Sequence, residues 1–109
     1  MENKVQQIAE NTRCLILKNG EKRYVPKKRP ISVIAADIKK NWKNVYFGAE
    51  PYLQAMSQID SIDGKYLYEN ASDIVIYFLS NATYWKGTEA QFIKAELKAQ
   101  LKDYCNIKI

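Results

Sequence analysis

Three groups of side chains in this sequence have the types and spacing to do chemistry. The first is a basic segment. From Arg13 to Lys43 there are ten lysines and arginines against two carboxylates, Glu21 and Asp37, while the rest of the chain carries seven basic and ten acidic residues. Within that segment Lys22, Arg23, Lys27, Lys28, Arg29, Lys39, Lys40 and Lys43 could neutralise phosphates. Tyr24, Trp42, Tyr46 and Phe47 lie among them in sequence and could stack on bases. The same charges also suit an acidic protein surface, or simply a solvated face with Trp42 buried. The second group is Tyr84-Trp85-Lys86. Exposed, this triplet would be an interface anchor; with Trp85 packed inward it would be a helix joint. The third is the carboxylate set Asp60, Asp63, Glu69 and Asp73, in which Glu69 and Asp73 share a face if the segment is helical. Such a set could hold Mg²⁺, although its spacing does not match an EF-hand loop, and solvation or helix-dipole complementarity accounts for it more simply.

Much chemistry is excluded by composition. The chain has no histidine, which removes Ser-His-Asp and Cys-His nucleophile systems and imidazole metal ligands. Its two cysteines, Cys14 and Cys105, are too few and too far apart for a zinc site without histidine. They are expected as free thiols in or near the core. No P-loop, CxxC or GxGxxG motif is present. No cofactor is expected and no catalytic residue is assigned. Asn70-Ala71-Ser72 and Asn81-Ala82-Thr83 match the glycosylation sequon, but both fall where a helix is expected, so coincidence is the better reading.

The elements that would position these groups can be read from periodicity and turn chemistry. Arg13–Lys18 and Glu21–Val25 flank Asn19-Gly20, the preferred pair for a two-residue type I′ hairpin turn. That turn would place Lys18 opposite Glu21, Leu17 opposite Lys22, Ile16 opposite Arg23 and Leu15 opposite Tyr24. Pro26 should end the second strand. Ile31, Ile34, Ile38 and Trp42 recur at helical spacing. Pro51 suits the first turn of a further helix carrying Leu53, Met56 and Ile59. A wide apolar stripe of Ala71, Ile74, Val75, Phe78, Leu79 and Ala82 predicts a helix from about Glu69. Gly87 is placed to end that helix, and Thr88 with Gln91 to form a capping box for the last one, whose stripe is Ile93, Leu97, Leu101 and Tyr104. Residues 2–11 could form a frayed helix, and Asn106–Ile109 alternates like a strand that could join the hairpin.

At 109 residues, 47% hydrophobic and 27% charged, the chain fits a single globular domain. The expected fold class is α+β: an N-terminal β-hairpin, with or without a C-terminal strand, packed on about four helices. The longest purely apolar run, Ile74–Leu79, is far short of a membrane span. Met1–Thr12 lacks the apolar core of a signal peptide. A cytoplasmic protein with no membrane partner is expected.

The stretches AADIKKNWKNVYFGAEPYLQAM (Ala35–Met56) and IVIYFLSNATYWKGTEAQFIKAELK (Ile74–Lys98) resemble small accessory proteins encoded by bacteriophages and mobile elements. The resemblance carries no known activity and no site residues. It implies a bacterial cytoplasm and a role in host-defence inhibition, anti-CRISPR action included, or in nucleic-acid binding. The expected function is a non-enzymatic protein that inhibits or modulates a host nucleoprotein machine. Direct DNA or RNA binding through the basic segment is the alternative, and a carboxylate metalloenzyme a distant third.

Overall fold

Hairpin, helices and a second small hairpin follow one another along residues 11–108, the part of the chain that a computed structural model describes. β1 (Thr12–Ile16) and β2 (Lys22–Pro26) pair antiparallel; α1 (Ile31–Asn41) and α2 (Glu50–Met56) follow. β3 (Lys65–Tyr66) and β4 (Glu69–Asn70) form the small hairpin, and α3 (Ala71–Ser80) and α4 (Thr88–Lys108) complete the α+β fold. The helix expected over residues 2–11 lies outside the described residues except at its last position.

The main core sits between the four helices. Ile31, Ile34, Ile38 and Trp42 of the α1 stripe are buried, as are Leu53 and Met56 of α2 with Ile59 just beyond it. So are Ala71, Ile74, Val75 and Phe78 of α3, and Ile93 and Leu97 of α4. These residues form one contiguous cluster, so the helical spacings read from the sequence are the faces that meet. α1 begins after Pro30, which offers no side-chain cap. Its first N–H groups are satisfied by tertiary partners instead: Ile31 donates to the Asp60 carbonyl (3.2 Å) and Ser32 to that of Ile59 (2.7 Å). Lys39 and Lys40 lie in the last turn of α1, where positive charge suits the helix dipole.

The N-terminal hairpin has a different register from the one its Asn-Gly pair predicts. Leu15 pairs with Arg23, Ile16 with Lys22 and Cys14 with Tyr24. The loop is three residues long: Gly20 N–H donates to the Leu17 carbonyl, Leu17 N–H donates to the Glu21 carbonyl, and Gly20 has φ +92. This is a turn closed by a left-handed glycine, the second most favoured hairpin loop. Asn19 caps it by accepting from the Glu21 N–H (3.0 Å) and donating to the Glu21 carboxylate (2.9 Å), in place of the expected Lys18 contact. One residue of slip exchanges faces. It sets Val25, rather than Tyr24, beside Leu15 and Leu17, so three apolar side chains face the body of the protein. With Phe92 of α4 they form a second, smaller core.

Four other expectations change. The C-terminal strand does not form, because α4 continues through Lys108; residue 109 lies outside the described part. α3 ends at Ser80, with Asn81 as C-cap, rather than at Gly87. A seven-residue joint follows, and Gly87, not Thr88, precedes the first helical residue and accepts from the Gln91 N–H (3.0 Å). The β3–β4 hairpin went unread, since two-residue strands leave no periodicity to detect. Its turn residues Leu67, at φ +56, and Tyr68 are both exposed. Both cysteines are free thiols, but they lie at the surface rather than in the core.

Candidate binding surface

Glu89, Glu96 and Asp103 stand seven residues apart on α4. Seven residues are close to two full helical turns, so the three carboxylates lie nearly in line along one side of the helix. Each meets an arginine of the N-terminal segment. Arg23 pairs with Glu89, and its guanidinium lies 4.2 Å from the Phe92 ring centre. Arg29 forms a bidentate pair with Glu96 through Nε and Nη2, both at 2.8 Å, and its Nη1 reaches Asp37 at 2.5 Å. Arg13 pairs with Asp103 at 2.6 Å and also donates to the Lys27 carbonyl. The middle rung is the most enclosed, with Glu96 only 2% exposed. Its hydrogen bond to Arg29, aided by Asp37 and working against the cost of burial, holds the guanidinium well above even the usual arginine range. Gln100 adds a hydrogen bond from its amide to the Arg29 carbonyl (2.9 Å).

This ladder alters the meaning of the basic segment. All three of its arginines are paired inside the protein. Arg23 and Arg29, expected as partner contacts, instead fasten the hairpin and linker to α4. The lysines behave differently: Lys22, Lys27, Lys28, Lys39, Lys40 and Lys43 are exposed, and every salt bridge among the described residues uses arginine. Tyr24 is exposed on the outer face of the hairpin, together with Cys14, Ile16 and Lys22. The Glu–Glu–Asp spacing of seven in the sequence marks an acidic stripe on one side of α4, but its arginine partners emerge only from the fold.

Tyr84-Trp85-Lys86 divides in two. Trp85 is 4% exposed and stacks on Trp42, with ring centres 5.5 Å apart and planes 9° from parallel. Burial removes both tryptophans as contacts. Lys94 of α4 closes over this stack: its Nζ donates to the Trp85 carbonyl (2.7 Å) and lies 6.0 Å from the ring centre. Tyr84, by contrast, points outward at 73% exposure. It meets Tyr46 at 5.3 Å between ring centres, and Tyr46 meets Phe47 at 4.8 Å. Phe47 is 77% exposed. Two loops distant in sequence therefore build one aromatic surface. Gly48 permits it, because a Cβ there would stand 2.5 Å from Tyr46 Cε2 and 3.0 Å from Asn81 Oδ1. Asn81 is held in turn by its amide, which donates to the Tyr77 carbonyl (2.9 Å).

Lysines gather on the same side. Lys86 follows the tryptophan directly and is exposed. The ammonium of Lys94 is held below the usual lysine range, first by partial burial and then by the nearby charges of Lys86 and Lys98. Elsewhere a cleft of about 510 Å³ is lined by Lys27, Lys28, Arg29, Asp60, Asp63 and Asp103 among others. Its cationic and anionic side chains balance, which suits neither a polyanion nor a cation. The carboxylates Asp60, Asp63, Glu69 and Asp73 do not converge: among the described residues no group of three or more His, Cys, Asp or Glu could hold a metal ion. Among those residues, too, no helix is long and apolar enough to cross a membrane. Comparison with protein-family models, curated proteins and solved structures finds no match to this chain.

Proposed function

We propose that this protein is a small non-enzymatic binding protein, of the accessory type encoded by phages and mobile elements, that docks on a host nucleoprotein machine and inhibits or modulates it. An effector nuclease of a CRISPR system is the most specific form of the proposal. The observation that carries it is the division of labour among the cations. The arginines secure the fold, whereas Lys39, Lys40, Lys43 and Lys86 are exposed and Phe47 and Tyr84 present bare aromatic rings. Exposed aromatic rings and unpaired lysines are not needed for the core, and together they match what contact surfaces use. A basic surface rules against imitation of DNA by acidic groups. It fits an acidic protein surface, or a nucleic-acid backbone already held by protein.

The test is capture from a bacterial host lysate by the immobilised protein, with bound protein and nucleic acid both identified. A discrete set of host proteins retained by the native chain and lost with Lys39→Glu/Lys40→Glu/Lys43→Glu supports the reading. Capture no greater than that of an unrelated basic protein overturns it. The second reading, direct binding to free DNA or RNA, draws on the same lysines and rings. It predicts capture that disappears entirely on nuclease treatment and an affinity that falls steeply with salt.

A further inference from the structure

The aromatic surface made by Tyr46, Phe47 and Tyr84 has three properties that are seldom combined. Its rings are in mutual contact, so each is positioned by the next. Two of them are about three-quarters exposed, although burying an aromatic ring is normally among the largest gains available to a small domain. The layer beneath is stiff. Tyr84 is continuous with Trp85, which is locked between the Trp42 ring and the Lys94 ammonium. The rings meet at 51° and 52°, so Phe47 and Tyr84 offer separate exposed faces for unstacked bases, each of which has a π-face regardless of its identity.

The charge around the rings points to the same class of ligand. The Lys94 ammonium is bound to the backbone of the residue next to Tyr84 and feels the charges of Lys86 and Lys98. A strand of phosphates would relieve that repulsion while its bases stack on the rings. The balanced charges of the Lys27–Asp103 cleft offer no such complement.

We propose that Tyr46, Phe47 and Tyr84, flanked by Lys86, Lys94 and Lys98, bind single-stranded nucleic acid by stacking on its bases and neutralising its backbone. The inference deepens the functional reading above and rests on it: the single strand is the component of the nucleoprotein machine that this surface touches. A duplex is disfavoured, because its bases are already stacked on one another and present no free face.

Binding is measured by fluorescence anisotropy with labelled oligothymidine and oligouridine of about 12 nucleotides, a length within the usual site sizes for such platforms. The expected result is binding that weakens linearly in log–log form between about 50 and 200 mM salt. Phe47→Ala/Tyr84→Ala is expected to weaken it by about tenfold or more at unchanged melting temperature, since both rings are exposed. Lys86→Gln/Lys98→Gln should flatten the salt dependence. A duplex of equal length should bind at least about tenfold more weakly, having no unstacked base for the rings. The inference is overturned if neither oligonucleotide binds at about 20 mM salt, if the ring variant binds as tightly as the native protein, or if duplex binds as well as single strand. Each of these results leaves the docking reading standing when host proteins are still captured in a lysine-dependent way. Loss of that capture with intact oligonucleotide binding removes the docking reading, and with it the placing of the strand in a host machine, and leaves the rings as a site for free single strands.

Discussion

The body of this protein and its N-terminal hairpin are stabilised in opposite ways. The body is joined by a continuous apolar cluster in which Ile31, Ile34, Ile38, Met56, Val75, Phe78 and Leu97 are fully enclosed. The hairpin contributes only Leu15, Leu17 and Val25, which share Phe92 as their buried partner on α4. Three arginine–carboxylate pairs supplement that small contact. Apolar burial is indifferent to which residue meets which, so the body tolerates exchange of similar volumes. The Arg29–Glu96 pair tolerates less, because removing Arg29 leaves the Glu96 carboxylate charged and enclosed at 2% exposure. The hairpin is thus attached by few contacts, each of them specific.

Substitutions can break this contrast. The largest loss is expected from Phe78→Ala in the body, about 3 to 5 kcal/mol of unfolding free energy in denaturant titration, since a fully buried ring is deleted. Glu96→Ala should cost about 2 to 3 kcal/mol, for the different reason that Arg29 loses its bidentate partner and keeps only Asp37. The double change Arg29→Met/Glu96→Met separates the two causes. It should recover most of the Glu96→Ala loss, because an apolar pair of similar volume replaces an ion pair at little net cost. Failure to recover would mean that Asp37, left behind, or the shape of the site matters more than the charges.

Phe92→Ala comes next, at about 2 to 3 kcal/mol, and should appear first as faster amide exchange in β1 and β2 while α1 and α3 stay protected. Arg23→Ala is smaller, about 1 kcal/mol or less, because the Arg23–Glu89 pair is substantially solvated and the ring contact is its main asset. The smallest effect concerns Lys94. Its folded pKa is lowered from the unfolded value of 10.5, so its charged form costs stability at neutral pH, and that cost vanishes as pH rises through the folded value towards 10.5. Lys94→Met should therefore compare most favourably with the native protein near neutrality and lose ground in alkali. The difference should stay within about 0.5 kcal/mol, offset by the lost bond to Trp85.

The contrast also explains which parts of the fold could be read in advance. The body's stripes were legible because a buried helix face imposes a spacing of three and four on the residues themselves. α1, α2 and α4 accordingly lie close to where periodicity puts them, and α3 starts there but stops seven residues early. The hairpin existed in the sequence as Asn19-Gly20 between two apolar runs, but its register did not. Asn-Gly fits a two-residue loop by local preference. The three-residue loop prevails because it brings Val25 beside Leu15 and Leu17 and turns Arg23 towards Phe92 and Glu89. The C-terminal alternation over Asn106–Ile109 misled for a similar reason: four residues of period two weigh less than the continuation of the helix that began at Thr88.

For the candidate surface the division is sharper. Composition alone determined that the chain lacks imidazole chemistry, that its charge is concentrated before Lys43, and that aromatic residues are abundant enough for some to face outward. Tertiary structure alone decided which of those groups are available. Arg13 and Arg29 are withdrawn by carboxylates up to ninety residues away, Arg23 is paired but still partly exposed, and Trp42 and Trp85 are withdrawn into each other. Phe47 and Tyr84 remain outside because Gly48 lets the Tyr46 ring close against the backbone and join them. Local spacing specifies the face of a helix, since neighbours on a helix are neighbours in sequence. The exposure of a charge or a ring depends on partners that only the folded chain brings within reach.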